Sequence, residues 1–402
     1  MSQADAERER ASFAVRVSLL FAAISVIIGT QLPFLPVWLY WAGLSAREIA
    51  TITAVPLFVR VAATPAIAFA ADRAGDHRKF LIGLSWAGLA ALIGLANARG
   101  FWPILAAMVV FAVAWTTIMP LAETVAMTGV RTAGLDYGRM RLWGSLSFMA
   151  ASFLGGWVVE GLGPGSAVWL IVGGAALTLA AAIGLRRPIG LGRLKAATTP
   201  PRIELASALG LIRSRPFLVF LLAGGAVQAA HAVFYTFGVL HWRAHGLSAE
   251  WCGGLWAISI LAEVGLFAFS GAVVARTGAV GLIGLGAGAA VLRWLAMGFD
   301  PPLGALVVLQ LLHGLTFGAT HLGAIHFMAR WVPEGQAGTA QALYASVTGG
   351  IAMGGAMLVA GPLYAEFGGR AYWAMAALAG VGLGATVLLA RLLPQRGCCS
   401  YP

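Results

Sequence analysis

The chain has 402 residues, of which 60% are hydrophobic and only 10% charged. A soluble domain carries about 25% charged residues, so this composition excludes an ordinary water-soluble protein and indicates a membrane protein. The net charge of +11 does not indicate nucleic-acid binding, because the basic residues are scattered through short breaks between apolar segments. We therefore expect the lipid bilayer, and no nucleic acid, among the partners.

The cysteines and the N-terminus point to no special processing or metal chemistry. The spacing of Cys252, Cys398 and Cys399 fits neither a disulfide framework nor a metal site, so we expect no bound metal and no cofactor. The polar residues 1–12 precede an apolar stretch that is too long for the core of a signal peptide. We predict that this stretch remains in the protein as its first span.

Apolar runs long enough to cross a membrane recur along the chain. A hydrocarbon core about 30 Å thick requires roughly 20 apolar residues in a helix. Twelve runs satisfy this length, which predicts an all-α membrane protein with twelve transmembrane helices. The predicted spans are 13–40, 47–71, 79–97, 101–128, 139–162, 165–185, 216–242, 249–275, 279–298, 301–330, 336–362 and 370–391.

The longest segment that is not apolar lies between predicted spans 6 and 7. Residues 186–215 are rich in Arg, Pro and Thr, which is typical of a cytoplasmic linker, and one short surface helix is expected around Ile203–Ile212. This linker divides the chain into an N-terminal six-helix bundle, 1–185, and a C-terminal six-helix bundle, 216–402.

The distribution of basic residues predicts the orientation. If both termini are cytoplasmic, 20 of the 26 Lys and Arg residues lie in cytoplasmic segments and four in the opposite loops. Arg60 and Arg293 are the remaining two, and both lie inside predicted spans. By the positive-inside rule, we predict a multi-pass protein of the bacterial inner membrane with both termini in the cytoplasm.

An internal repeat relates the two halves. The tetrapeptide GLSA occurs at 43–46, after span 1, and at 246–249, after span 7, an offset of 203 residues. At the same offset, AFAADRAG at 68–75 meets GAVVARTG at 271–278, with one arginine and one glycine aligned. Two matches at one offset predict two pseudo-symmetric six-helix bundles with the same orientation, the parallel-repeat arrangement of one large transporter class.

The loop between spans 2 and 3 resembles the G-x-x-x-D-R-x-G-R-R signature of the major facilitator superfamily. Residues 72–79 read DRAGDHRK, with Ala68 in place of the first glycine, and the second copy keeps Arg276. An acid at a helix end that pairs with nearby arginines can latch two helices in one state. The alternative is a loop whose basic residues only set orientation. The gating residues implied by this resemblance are Asp72, Arg73, Gly75 and Arg78.

Spans 4, 5, 9 and 10 carry a narrower resemblance, to lactose permease. Glu123 and Arg141 are eighteen residues apart, as are that transporter's paired carboxylate and arginine. The steps of 17 and 20 residues from Arg276 to Arg293 to His313 also resemble its helix 9 arginine and helix 10 histidine. The resemblance implies a transporter with charged residues inside its spans.

The amino-acid sequences of several segments resemble the 3-phenylpropionate transporter group, a relative of lactose permease, more closely than they resemble lactose permease itself. These segments are RLWGS at 141–145, LHGLTFG at 312–318 and QALY at 341–344. Two departures from lactose permease are Thr316, where that protein has a carboxylate, and Glu263, which lies one turn nearer its cytoplasmic loop. The same proton pathway therefore does not simply carry over.

Charged residues inside spans are candidates for coupling and binding. A charge at the centre of a helix costs about 2.5–3.5 kcal/mol on insertion scales, so each case requires a reason. The repeat offset places Arg60 and Glu263 at equivalent positions, and we expect both to face the cavity between the halves. Glu263 is interpreted as a titrating carboxylate; the alternative is a structural acid paired with Arg141 or Arg293. The predicted proton-coupling residues are Glu263, His313, Glu123 and Arg293.

Polar and aromatic residues near these charges are candidates for substrate contact. Gln310, His313, Phe317 and Thr320 recur at helical spacing and predict one polar-aromatic stripe on span 10. Trp143 and Trp256 could stack on a flat ring, although tryptophans also fill helix interfaces and membrane belts. The predicted substrate-binding residues are Arg60, Arg141, Gln228, His231, Trp143, Trp256 and Gln310.

Taken together, the residues and the resemblance predict a monomeric, proton-coupled symporter of a small organic solute that works by alternating access. The resemblance implies an aromatic carboxylate such as phenylpropionate. A sugar or nucleoside symporter is the alternative, and a drug exporter fits less well because buried arginines accompany the buried acids. A membrane-embedded enzyme would require a nucleophile–base pair or a metal constellation, and the sequence contains neither, so we expect no enzyme.

Overall fold

The computed structural model describes residues 3–185 and 205–393. All regular secondary structure within these residues is helical. The expected surface helix in the linker is present as Leu205–Arg213. Residues 186–204 of the predicted linker lie outside the described residues.

The described residues contain eleven helical segments that are long and apolar enough to cross a bilayer. The last of them, Ala337–Leu392, has 56 residues. A helix of that length measures about 84 Å, far more than the hydrocarbon core of about 30 Å. A 3-10 turn at Gly368–Arg370, where Gly368 has φ +55°, divides the segment into two crossings. The prediction of twelve spans is thus confirmed.

The twelve spans are numbered in chain order. Spans 1 to 6 are Glu7–Trp41, Ala46–Ala74, His77–Asn97, Phe101–Ala133, Tyr137–Leu162 and Pro164–Gly184. Span 7 is Arg215–Ala244, and span 10 is Leu303–Trp331. Span 11 consists of three consecutive helical pieces, Ala337–Ser346, Val347–Ala352 and Met353–Phe367. Span 12 is Ala371–Leu392. Span 8 begins as Ala249–Ala268, and the helical stretch Ser270–Met297 holds the end of span 8 and all of span 9, with a break at Gly278.

The internal repeat recurs in the backbone. Gly43 and Gly246 have φ +88° and +86°, and Gly75 and Gly278 have φ +64° and +67°. These left-handed conformations favour glycine, since a side chain there is strained. Each pair is separated by the offset of 203 residues that relates the two halves of the sequence. The same turns therefore end span 1 and span 7, and likewise span 2 and span 8.

Four spans depart from regular α-helix near their middle. Span 4 is interrupted at Thr116 and Thr117, because Pro120 cannot donate to the carbonyl four residues earlier and its ring crowds that turn. Span 7 is interrupted between Ala229 and Ala232. Spans 10 and 11 contain π-helical turns at Gly314–Ala319 and Val347–Ala352. π-Helical turns are rare in proteins, and those that occur are often found at functional sites.

The described residues form two compact units. The first comprises 3–185, 233–260 and 357–368, and its core forms where span 1 packs against spans 5 and 6. The second comprises 205–232, 261–356 and 369–393, with a core in which Phe220 stacks on Phe327 and Tyr344 at centroid distances of 4.3 and 5.3 Å. The predicted division into two six-helix bundles at 186–215 rests on the internal repeat of the sequence, and it stays a prediction.

Within the first unit, spans 5 and 8 touch backbone to backbone. A Cβ atom on Gly156 would lie 2.9 Å from the Ala249 carbonyl carbon, and one on Gly253 would lie within 3.0 Å of the backbone of span 5. Small residues permit such close helix packing in membranes. Beside this contact, Glu160 accepts hydrogen bonds from the Arg243 guanidinium and, at 2.7 Å, from the Ala249 N–H. The carboxylate therefore caps the start of span 8.

Candidate functional site

The most completely buried charge among the described residues is Arg293 on span 9, which has no exposed surface. Its guanidinium donates three hydrogen bonds to side chains of span 10. Nη2 donates to Gln310 Oε1 at 2.8 Å, and Nη1 donates to His313 Nδ1 and to Thr316 Oγ1, both at 3.1 Å. A buried charge is tolerated only with such partners, and the planar fork of arginine suits several acceptors at once.

Close helix packing brings Glu263 of span 8 to this arginine cluster. A Cβ atom on Gly314 would lie 2.8 Å from the Ala262 carbonyl oxygen, and one on Gly318 would lie 3.4 Å from Cγ of Glu263. Two glycines of span 10 therefore let span 8 approach, and His313 Nε2 lies 3.9 Å from Glu263 Oε2. The distance is longer than a hydrogen bond and represents an electrostatic contact. The Glu263 side chain retains 18% exposure.

Hydrogen-bond partners assign the proton on His313. Because a guanidinium only donates, the Nδ1 atom that faces Arg293 must accept. A singly protonated His313 ring consequently carries its hydrogen on Nε2, the nitrogen that faces the Glu263 carboxylate. Glu263, His313 and Arg293 thus form a continuous polar chain across spans 8, 10 and 9.

His231 of span 7 joins the same chain through Thr316. Its Nδ1 lies 3.1 Å from the carbonyl oxygens of Val227 and Gln228, which can only accept, so Nδ1 carries a hydrogen. In a singly protonated ring, Nε2 then accepts from the Thr316 hydroxyl at 3.1 Å. These side-chain bonds to backbone carbonyls coincide with the interruption of span 7 at residues 230–231.

Thr316 is the site residue that sequence reasoning missed. In the sequence, Thr316 stands out only as the position where lactose permease has a carboxylate. Its hydroxyl accepts from Arg293 and contacts His231, so it connects spans 7, 9 and 10. A signal was available, since Thr316 follows His313 by three residues, about one helical turn.

Aromatic rings enclose the polar chain. His313 stacks on Phe317 at 5.4 Å and meets the edge of His231 at 5.5 Å, while the Arg293 guanidinium lies 4.6 Å from the Trp294 ring. The predicted stripe on span 10 is therefore partly assembled. Thr320, its last member, instead bonds back to the Thr316 carbonyl at 2.9 Å.

A second charged cluster lies in the first unit. Glu123 of span 4 and Arg141 of span 5 interact electrostatically, and the Tyr137 hydroxyl interacts with both. The Arg141 guanidinium also lies 5.6 Å from the centre of the Phe21 ring. The predicted Glu123–Arg141 pair is thus brought together, and Tyr137 is a further member that was not among the predicted site residues.

The remaining predicted binding residues lie in different surroundings. Gln228 is buried in the second unit beside His231, and Arg60 is half-buried on span 2 of the first unit. Trp256 is buried and stacks on Phe234 at 4.8 Å. Trp143 is 55% exposed and lines a groove between spans 1 and 5.

The signature loop has a different pairing from the one expected. Asp72 contacts His77 at 2.8 Å, whereas the signature predicts nearby arginines as its partners. Arg78 instead donates to the carbonyls of Ile183, at 2.7 Å, and Leu185, so it holds the end of span 6. The neighbours His77 and Arg78 at the start of span 3 point in different directions, so closeness in the sequence did not predict which of them contacts Asp72. The gating roles of Asp72, Arg73, Gly75 and Arg78 stay predictions.

Comparisons with known proteins agree with this architecture. A family model described as the MFS_1 like family matches residues 15–375. The probable 3-phenylpropionic acid transporter of Escherichia coli (strain K12) is 31% identical over 364 residues, covering 87% of this chain and 91% of that protein. The maltose permease of Geobacillus stearothermophilus is 30% identical over 355 residues, covering 86% of each protein.

Solved structures show the same fold. The nucleoside transporter NupG has a TM-score of 0.82 at 16% identity, and the match covers 95% of this chain and 100% of that chain. The predicted fold class, an all-α membrane protein with the major facilitator fold, is confirmed. By the family match and the relatives at 31% and 30% identity, the chain belongs to the MFS_1 like family and is a multi-pass membrane transporter of the major facilitator superfamily.

Proposed function

We propose that this transporter is a monomeric, proton-coupled symporter that takes up a small organic anion across the bacterial inner membrane, with both termini in the cytoplasm. The substrate class that we favour is an aromatic carboxylate such as phenylpropionate. The observation that carries the proposal is the polar chain formed by Glu263, His313 and Arg293, with Glu263 at its more exposed end.

Glu263 is the group that we assign to the proton. Glu263 is the carboxylate of the polar chain, and His313 Nε2 lies 3.9 Å from it. The Arg293 guanidinium donates to the opposite nitrogen of the same ring. We assign to this arrangement the release of the proton on the cytoplasmic side. In this scheme the proton moves with the substrate and is released after it.

The charge balance supports an anionic substrate. The predicted coupling and binding residues include three arginines and two glutamates, which leaves one positive charge in excess. A monocarboxylate has the opposite charge and could accept two parallel hydrogen bonds from a guanidinium. The relative from Escherichia coli is described as a probable 3-phenylpropionic acid transporter, which favours the same class. The maltose permease and NupG favour the alternative, a sugar or nucleoside symporter.

Transport by purified protein in proteoliposomes tests the substrate class. The panel comprises labelled 3-phenylpropionate, its neutral analogue 3-phenylpropanol, maltose and uridine, each with an acidic exterior, an acidic interior or no gradient. We expect accumulation of the carboxylate, driven by an acidic exterior. Accumulation of maltose or uridine in its place would support the alternative, and uptake that ignores the gradient would contradict proton coupling.

The variant Glu263→Gln tests the coupling role. It should abolish accumulation driven by a pH gradient but retain equilibrium exchange of labelled for unlabelled substrate, because exchange requires binding and alternation without net proton release. Glu366→Gln, at an exposed position of span 11, is the matched control and should behave as wild type. Full gradient-driven accumulation by Glu263→Gln would refute the proposed mechanism.

A further inference from the structure

An apolar groove runs along the surface of the first unit between spans 1 and 6. Its volume is about 410 Å³, and its lining includes Leu19 and Val26 of span 1 with Leu177 and Ala180 of span 6. Leu19 and Leu177 are more than half exposed, so the groove opens outward from the helices. An outward apolar groove on a membrane span has the chemistry of a lipid acyl-chain site.

One charged residue, Arg16, lines this groove. Among the described residues, no carboxylate lies within 4.0 Å of its guanidinium to form an ion pair. At the other side of the mouth, Gly184 lines the groove, and Arg78 binds the carbonyls of Ile183 and Leu185 on either side of it. Two positive charges therefore flank the end of an apolar slot.

A second groove on the opposite side of span 1 provides a natural comparison. Its volume is about 560 Å³, and it shares Leu19 and Ala22 as a common wall with the first groove. It also contains an arginine, Arg139, but Asp136 lies 3.5 Å away and lines the same groove. The charges at this mouth offset each other, whereas those at the first mouth do not.

We propose that the groove between spans 1 and 6 binds an anionic phospholipid, with one acyl chain in the apolar slot and the phosphate at Arg16. Basic pockets between transmembrane helices on the cytoplasmic side bind anionic headgroups, and Arg16 lies on the side that we predict to be cytoplasmic. The groove beside Arg139 takes lipid chains without a preference for headgroup charge. This site is independent of the proposed transport mechanism.

Lipid-dependent stability of the full-length protein in detergent tests the proposal. Thermal unfolding and native mass spectrometry are carried out with added phosphatidylglycerol or with phosphatidylethanolamine that has identical chains. Wild-type protein should be stabilised more, and retain more lipid, with phosphatidylglycerol. Arg16→Gln should weaken phosphatidylglycerol binding about fivefold, the effect of one arginine near an anionic surface, while Arg16→Lys should retain it.

Matched variants separate this groove from its neighbour. Arg139→Gln should keep the phosphatidylglycerol preference of wild type. Ala180→Trp fills the acyl-chain slot at an exposed position and should remove bound phosphatidylglycerol, whereas Ala176→Trp, exposed on the same span outside the lining, should not. Equal responses of wild type to the two lipids, or equal losses in Arg16→Gln and Arg139→Gln, would overturn the proposal. Should Arg16→Gln fail to fold, lipid retention in Ala180→Trp alone decides the outcome.

Discussion

At the scale of single residues, the buried polar chain depends on a hydroxyl. Thr316 accepts from Arg293 and contacts His231, each at 3.1 Å, so one oxygen serves two basic side chains from different spans. Buried polar groups that lose a partner keep the full cost of their desolvation. The position therefore requires a small side chain with a hydroxyl.

The variant Thr316→Val should destabilise the protein by about 1–3 kcal/mol, because it leaves His231 and Arg293 without their shared partner while preserving side-chain volume. Substrate uptake should fall with it, and Thr316→Ser should restore both. The measurements are thermal unfolding in detergent and uptake in proteoliposomes.

Thr386→Val is the control for that prediction. Thr386 is also buried, but its hydroxyl donates to the Gly382 carbonyl of its own helix at 2.8 Å. The loss of such a local bond should cost less, and transport should persist. Equal effects of the two threonine variants would mean that Thr316 has no special role in the polar chain.

At the scale of helices, glycines decide which spans can touch. Gly314 begins the π turn of span 10 and lies against the Ala262 carbonyl of span 8. This contact is what places Glu263 beside His313. Span 10 thus acts as the element on which the acid, the histidine and the buried arginine converge.

Gly314→Ala should move span 10 away from span 8, because its Cβ atom would lie 2.8 Å from a backbone oxygen that cannot rotate aside. We expect a lower unfolding temperature and weaker gradient-driven uptake. Gly288 lies on span 9, and a Cβ atom added there would meet no atom of another element within 4 Å. Gly288→Ala should therefore be neutral or stabilising by up to about 1 kcal/mol. A Gly314→Ala variant as stable and active as Gly288→Ala would contradict this account.

At the scale of the whole molecule, the distribution of basic residues predicts the orientation of the protein in the membrane. Arg99 and Arg131 are both exposed and lie at opposite ends of span 4. In a background without native cysteines, Arg99→Cys should react with a membrane-impermeant maleimide on intact cells. Arg131→Cys should react only after permeabilisation, because it lies on the side that we predict to be cytoplasmic.

The two labelling positions control for each other, since both loops are short and polar. Labelling of Arg131→Cys on intact cells, with protection of Arg99→Cys, would reverse the predicted orientation. Such a result would also move Arg16 to the outer leaflet, although the lipid preference of its groove is measured separately in detergent.

The number of spans, the repeat offset and the family could all be read from residue order, because they depend on local properties. The length of an apolar run, a glycine at a left-handed turn and a recurring tetrapeptide act through their own neighbours and the bilayer. The positions of Glu263, Arg293 and His313 within spans were visible for the same reason.

The partners of these residues depended on helix rotation and packing, which join positions far apart in the chain. Thr316 became a shared hydrogen-bond partner only because spans 7, 9 and 10 converge on it. Asp72 met His77, and Trp143 turned to an outer groove, for reasons that a one-dimensional pattern does not contain. A periodic pattern assigns a residue to a face of its helix, whereas the neighbour across that face is set by which side chains fit together in three dimensions.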